Sequence, residues 1–351
     1  MRAGRRGPGG ARHGRRGEGD DMRRGEGMPT RRGVIAGIAA AGVARGARAQ
    51  DPVFPARPVR LLVGIPAGGA PDVIARLLAD RLGALWGQPV VVDNRPAASG
   101  NPAAGAVAAA APDGHTLLFA HASLLLLNEA LMRNVPFNGE RDFAPVSLLA
   151  TTPFIVACQP GAPYATLDEL KAWARGRPAG VTFATLSATG LPRFVGERVK
   201  AALGIPMVNV PYVSMAGAVQ DVAAGRVDLL IDGTPVITPQ IRGGFLKGLA
   251  LTSTERDPVI PGVPAAAETI PGFTSRGWFG LLGPAGMPEG VVRRVAEDAR
   301  RVLSQPEMRE RLRRDFGADV VAGTPGEFAA SLSADRAVYR RLVAEVGATL
   351  D

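Results

Sequence analysis

The sequence has one cysteine and three histidines among 351 residues. A single cysteine excludes an internal disulfide, and His115 and His121 are the only histidines after residue 50, so no His/Cys metal cluster can be assembled. Cys158 follows the apolar segment Phe154–Ala157, which favours a buried strand thiol over a nucleophile. Neither a metal nor a cofactor is expected.

Motifs of the common nucleotide and hydrolase sites are also missing. The segment Ala67–Ala70 fits neither a phosphate-binding P-loop nor the Gly-x-Gly-x-x-Gly dinucleotide motif. A Ser-His-Asp triad through His121 is formally possible, but no Gly-x-Ser-x-Gly elbow accompanies it. His121 is therefore interpreted as a loop residue or a neighbour of a ligand, and a hydrolase or dehydrogenase is disfavoured. We expect a protein that is not an enzyme.

The charge is concentrated in the first 50 residues. Of 41 Lys and Arg residues and 32 Asp and Glu residues, 12 and 4 lie there, so the rest of the chain holds 29 basic and 28 acidic residues. A net charge of +1 over 301 residues leaves no basic patch for nucleic acid.

Residues 1–50 contain a basic region, an apolar stretch and a cleavage site in the order typical of an export signal. Residues 1–27 are rich in Arg and Gly and are expected to be disordered, so Met28 is a candidate start. Arg31-Arg32 precede the apolar stretch Gly33–Ala44, and cleavage is predicted after Ala49. The apolar stretch is shorter than the roughly 20 residues that a membrane span needs. A disordered basic tail on a cytosolic protein is the alternative, and the choice between general and twin-arginine export is open.

The remaining chain alternates short apolar runs with helical stretches. This alternation predicts an α/β fold with parallel sheets and helices on both faces, in two blocks that meet near Thr151. Residues 143–167 carry no charge, and the prolines in this segment predict two short buried strands, Val146–Ala150 and Phe154–Gln159. Helices are predicted over Leu191–Leu203, Glu289–Leu303, Pro306–Phe316 and Pro325–Val346.

A glycine turn after the first strand is the leading candidate for a site. The strand Val59–Ile65 runs into Pro66–Gly69, and a helix follows, so backbone N–H groups and the positive end of the helix dipole face one point. Such a turn either binds a phosphate or a carboxylate or is only a tight connection without a ligand. Asp72 either caps that helix or contacts a ligand, and Asp232 either caps a later helix or faces the cleft. Tyr212 lies at the edge of the core or in the cleft wall.

Several segments, in order, resemble the Bug family, the substrate-binding proteins of tripartite tricarboxylate transporters. The resemblance covers essentially all of residues 57–345. It is carried by Pro58–Asp72, Gly87–Pro96, Ala111–Leu118, Asp142–Ser147, Val210–Tyr212, Gly225–Asp228, Trp278–Gly286 and Thr324–Phe328.

The resemblance implies a periplasmic protein of the type II binding-protein fold. Two domains, residues 51–152 with 277–351 and residues 153–276, would be joined by a two-strand hinge at Pro153–Val156 and Trp278–Leu281 and would close around a small carboxylate. Ligand contacts implied by the resemblance are Ile65, Pro66, Ala67, Gly68, Gly69, Asp72, His121, Ala122, Ser123, Thr185, Leu186, Ser187, Gly190, Tyr212 and Asp232.

Three departures from the family pattern bear on the ligand. Thr185–Arg193 stands where the family often has a Gly/Ser-rich loop followed by a histidine. Val213-Ser214 replaces a basic residue and a glycine, and Ile65 stands where an aromatic is common. A less polar pocket indicates a monocarboxylate or an aromatic carboxylate instead of citrate. The partners would be this ligand and either the transporter's membrane subunits or, alternatively, a sensor kinase, with the protein itself a monomer.

Overall fold

The structure, a computed structural model, describes residues 54–346 apart from residue 69 and residues 187–189. The predicted leader and signal peptide lie outside the described residues. The described residues all belong to one compact unit. None of the described helices combines the length and the apolar content that crossing a membrane requires.

Ten strands and ten α-helices are described, and the order of strand and helix follows the predicted alternation. The strands are β1 Val59–Val63, β2 Val90–Asn94, β3 Thr116–His121, β4 Phe143–Cys158, β5 Val181–Thr185, β6 Met207–Pro211, β7 Leu229–Gly233, β8 Lys247–Leu251, β9 Arg276–Pro284 and β10 Asp319–Val320.

The helices connect these strands. They are α1 Ala70–Trp86, α2 Asn101–Ala108, α3 Asn128–Leu131, α4 Leu167–Ala174, α5 Leu191–Leu203, α6 Met215–Ala223, α7 Thr234–Arg242, α8 Glu289–Leu303, α9 Pro306–Phe316 and α10 Pro325–Val346. A π-helical turn, Ser123–Leu127, leads directly into α3.

The strands form two sheets that share β4. Sheet 1 contains β1 in parallel contact with β2 and β3, and β9 antiparallel to β3 and to the first part of β4. Sheet 2 contains β5 in parallel contact with β6 and β7, while the last part of β4 runs antiparallel to β7 and β8. β10 adds to sheet 1 through β4.

The two short strands predicted within residues 143–167 are wrong, because β4 is one strand of 16 residues that passes from sheet 1 into sheet 2. Its prolines are tolerated at places where the ladder is already interrupted. Pro145 stands at a register shift against β9, and Pro153 is the last residue paired with β9 before Phe154 pairs with Gly233 of sheet 2. A missing N–H has little consequence at such positions.

Local signals define the helix ends well. α5 carries Pro192 in its first turn and is capped after Leu203 by Gly204, whose φ of 64° is favourable for glycine. α9 likewise begins with Pro306 and ends at Gly317, with φ 53°. The ranges of α5, α8, α9 and α10 match the predicted ranges, which confirms those four predictions.

The central strands are buried on both faces, which explains why they are apolar without alternation, whereas the edge strands β2 and β6 expose Val91 and Val208. β3 is fully buried from Leu117 to Ala120. Cys158 at the end of β4 is also buried, and burial raises the pKa of its thiol to about 11. The prediction of an inert buried thiol is confirmed.

A carboxylate holds the turn between β1 and α1. Asp72, 2% exposed, accepts hydrogen bonds from the N–H of Gly68 at 2.9 Å, from Arg76 Nε at 3.0 Å and from Asn94 Nδ2 at 2.8 Å. Asn94 Nδ2 also donates to the carbonyl of Ile65. Burial opposes ionisation of Asp72, but these donors outweigh it and lower its pKa. The turn is therefore tied to the start of α1 and to the end of β2.

Close packing of β9 against α10 leaves no room for a side chain at Gly280. A Cβ there would overlap the ring of Phe328, which is fully buried and lies edge-on to Trp278. We expect Gly280→Ala to lower the free energy of unfolding by about 1–3 kcal/mol through overpacking. Urea denaturation measures the effect. Gly326→Ala in α10 is the control, because a Cβ there meets no atom within 4 Å; equal losses in both variants would contradict the prediction.

Removing the Asp72 carboxylate should destabilise the turn after β1. Asp72→Ala removes the buried acceptor that ties the turn to α1 and β2, so we expect a loss of about 1–3 kcal/mol at pH 7 in urea denaturation. Asp80→Ala, on the exposed face of the same helix, is the control and should change little.

The same substitution should alter the pH dependence of stability. Since the folded pKa of Asp72 is lowered, its stabilisation is present above the unfolded value of 3.8 and is lost as the pH falls through the folded pKa. The difference in stability between wild type and Asp72→Ala should therefore shrink in acid. A constant difference from pH 7 to below that pKa would contradict this reading.

Candidate functional site

A cleft of about 560 Å³ lies where the ends of strands from both sheets meet. Its lining comes from the loops after β1, β2, β3, β5 and β7, and from β4 and β9. The lining residues are Gly64, Ile65, Pro66, Pro71, Pro96, Ser99, His121, Ala122, Ser123, Asn128, Thr152, Phe154, Leu186, Gly190, Leu191, Pro192, Asp232, Gly233, Pro235, Val236, Gly277, Trp278 and Phe279.

Three helices of both sheets begin at this cleft. Pro71 in the first turn of α1 lines the sheet 1 side. Gly190–Pro192 at the start of α5 and Gly233, Pro235 and Val236 at the start of α7 line the sheet 2 side. The first N–H groups of a helix have no partner within the helix, and the helix dipole adds positive potential there. The cleft therefore attracts negative charge from two directions.

The sheet 1 side of the cleft is held by close contact between two loops. A Cβ on Gly100 would lie 2.6 Å from the carbonyl oxygen of Gly64, so the loops after β1 and β2 pack backbone to backbone. Ser99 takes the left-handed conformation, with φ 58°, and its carbonyl accepts from Nδ2 of the buried Asn128 at 3.1 Å. A non-glycine residue in this conformation persists where its surroundings constrain it, here beside the cleft.

His121, at the end of β3, is a neutral histidine with one unused nitrogen. The N–H of Leu124 donates to Nδ1 at 3.4 Å, which favours the tautomer with its proton on Nε2. Nε2 is buried and has no partner among the described residues. Burial lowers the pKa of His121 to about 4, so the imidazole is uncharged near neutral pH and Nε2 is a free N–H donor.

Asp232, at the end of β7, is the acidic residue of the described lining. Its Oδ1 accepts the N–H of Gly233 at 2.7 Å. Burial raises the pKa of Asp232 to about 6, and the hydrogen bond from Gly233 opposes that shift only partly.

The described lining contains no lysine or arginine. Most of it is apolar, including Phe154, Leu186, Val236, Trp278 and Phe279. Such walls exclude water and strengthen the electrostatic effect of the helix starts. A hydrogen bond also crosses the cleft, from the N–H of Leu191 on α5 to Oγ of Ser123 at 3.2 Å.

The structure brings eight of the predicted ligand contacts together in this lining: Ile65, Pro66, His121, Ala122, Ser123, Leu186, Gly190 and Asp232. Gly69 and Ser187 lie outside the described residues. The others are placed beside the lining: Ala67 and Gly68 are exposed, Asp72 is occupied by its three donors, and Thr185 is buried and accepts from Asn209. The Tyr212 hydroxyl donates to Asp221, which together with burial raises the pKa of Tyr212 to about 12.

Sequence reasoning missed several lining residues. Ser99 follows β2, and the rule that ligands bind beyond strand ends points to its loop. Asn128 is the single polar residue in the apolar run Leu124–Leu131 apart from Glu129, a weak signal of a buried polar role. Thr152 and Phe154 carry no such signal, because their place depends on β4 passing between the sheets.

Comparison with known proteins identifies the family. The model of the tripartite tricarboxylate transporter family receptor matches residues 74–347. Protein BugT of Bordetella pertussis is 32% identical over 315 residues, which cover 89% of this chain and 96% of that protein. An uncharacterised protein of Pseudomonas sp. is 33% identical over 318 residues, covering 90% and 94%.

Solved structures agree with this assignment. An adipate-bound protein of R. palustris superposes with a TM-score of 0.77 at 30% identity, covering 85% of this chain and all of that one. MatC of Rhodopseudomonas palustris with bound malate gives 0.72 at 30% identity, covering 83% and 100%. The periplasmic binding protein BugD gives 0.73 at 29% identity, covering 84% and 99%.

These neighbours confirm the predicted fold class and the Bug family resemblance, and they are binding proteins, not enzymes. The chain therefore belongs to the tripartite tricarboxylate transporter receptor family of periplasmic solute-binding proteins.

Proposed function

We propose that this protein captures a small carboxylate in the cleft and delivers it to the membrane subunits of a tripartite transporter. The observation that carries the proposal is the meeting of three helix starts from two sheets at a cleft whose described lining has no basic side chain. Structural neighbours bound to adipate and malate support the choice of a carboxylate.

Backbone N–H donors alone can bind a carboxylate with about micromolar affinity. Each hydrogen bond to a charged acceptor contributes about 1.5–3 kcal/mol, so three or four bonds less the ordering cost reach about micromolar binding, near −8 kcal/mol. His121 Nε2 adds a side-chain donor to those of the backbone. An arginine is not required.

Closure of two domains follows from the same arrangement. We propose that residues 51–152 with 277–351 form one domain and residues 153–276 the other, with β4 in the hinge. The ligand is fully bound only when both domains contact it, so ligand binding favours the closed form. We also propose that the protein is exported by a signal peptide that is cleaved after Ala49, and that it acts as a monomer.

The ligand class is tested by isothermal titration of the purified protein with monocarboxylates, aromatic carboxylates and citrate. The apolar walls and the absence of lysine and arginine from the described lining predict binding of the first two classes and weak or no binding of citrate. Tight binding of citrate without binding of monocarboxylates would contradict the proposed ligand class.

The donor role of His121 is tested by a pair of variants. His121→Phe removes Nε2–H and should weaken carboxylate binding by about 10-fold to 150-fold, the equivalent of one hydrogen bond to a charged group. His121→Gln keeps an N–H donor and should retain most of the affinity. Because the pKa of His121 is about 4, neither result should depend on pH between 6 and 8 through this residue. Equal loss in both variants would contradict the donor role.

A further inference from the structure

Asp232 has hydrogen-bonding capacity that the described residues leave unused. Its only partner among the described residues is the N–H of Gly233, bound to Oδ1, and no described cation pairs with it. A carboxylate has about four acceptor positions. Asp232 is paired with Ile155 of β4 in the β4–β7 ladder, and β7 lies between β4 and β5 in sheet 2. Asp232 also lines the cleft.

Among the described residues of the lining, none brings a compensating charge to this carboxylate. Those that line the cleft beside it are β3, β4, β9, α7 and the loop after β5. Within the described lining the only other titratable side chain on these elements is His121, which is neutral because its pKa is lowered to about 4. Burial raises the pKa of Asp232 to about 6, so at pH 7 the group is still mostly ionised.

The charge of Asp232 restricts the orientation of a bound carboxylate. Like charges repel strongly within an apolar cleft, so the ligand carboxylate does not lie against Asp232 at pH 7. The ligand carboxylate can instead lie on the sheet 1 side of the cleft. The start of α1, Nε2 of His121 and the turn at Ser123 lie on that side. The other end of the ligand then points toward sheet 2.

We propose that the ligand is bipolar: its carboxylate is bound on the sheet 1 side, an apolar body fills the middle of the cleft, and an O–H or N–H donor at its far end bonds to Asp232. Asp232 is then the residue that selects hydroxy or amino carboxylates over plain ones. This inference rests on the proposed function, since it takes carboxylate binding in this cleft as given.

A matched ligand series tests the inference by isothermal titration at pH 7. The probes are hexanoate, its terminal hydroxy acid, its terminal amino acid, and adipate, which replaces the donor with a second carboxylate. The two donor-bearing acids should bind at least about 10-fold more tightly than hexanoate, since a hydrogen bond to a charged group is worth that much. Adipate should bind more weakly than the hydroxy acid.

Asp232→Asn is the matched variant, because an asparagine has nearly the same volume and keeps an acceptor for Gly233. The preference of the variant for the donor-bearing acids should fall below about 3-fold. Below pH 6 wild-type Asp232 becomes protonated, so hexanoate and adipate should bind more tightly as repulsion is lost, and the amino acid more weakly. The variant should lose these changes.

The outcomes separate the two proposals. If hexanoate binds as tightly as the donor-bearing acids, or if the variant keeps their preference, the role of Asp232 is wrong while the proposed function stands. If none of the acids binds, the proposed function fails and this inference with it. Should Asp232→Asn not fold, the wild-type series and its pH dependence decide alone.

Discussion

The meeting of the positive dipole ends of α1, α5 and α7 at one cleft is the electrostatic constraint on which the site depends. Each of these helices follows a strand end, so the strand ends of both sheets bring a helix start to the cleft. Because the described lining holds no lysine or arginine, the electrostatic attraction for an anion there comes from these helix dipoles. Apolar walls strengthen that attraction by keeping the local dielectric low.

Two aspartates, Asp72 in the first turn of α1 and Asp232 at the end of β7, show how the number of donors decides the role of a carboxylate. Asp72 accepts three hydrogen bonds, its pKa is lowered, and it stabilises the turn after β1. Asp232 accepts one, its pKa is raised, and it retains acceptor capacity toward the cleft. The residue type is the same, but one carboxylate is part of the scaffold and the other is available to a ligand.

The two sides of the cleft belong to different sheets, and one long strand connects these sheets. β4 provides this connection by pairing with β9 in sheet 1 and with β7 and β8 in sheet 2. Contacts such as those of Ser123 with Leu191 and of Thr234 with Gly317 join the two sides outside β4.

The sequence by itself determined the alternation of strands and helices and the burial of Cys158, because both depend on local patterns of apolar residues. It determined the ends of α5, α8, α9 and α10 through residues that start or stop helices. It also determined the family, because the family's segments occur in their recognisable order. It also placed eight candidate contacts near strand ends. The continuity of β4, the contribution of Thr152, Phe154 and Asn128 to the cleft, and the opposite environments of Asp72 and Asp232 were decided only by the tertiary structure. Pairing partners and burial arise from residues distant in the chain, and no local pattern encodes how many donors reach a given carboxylate.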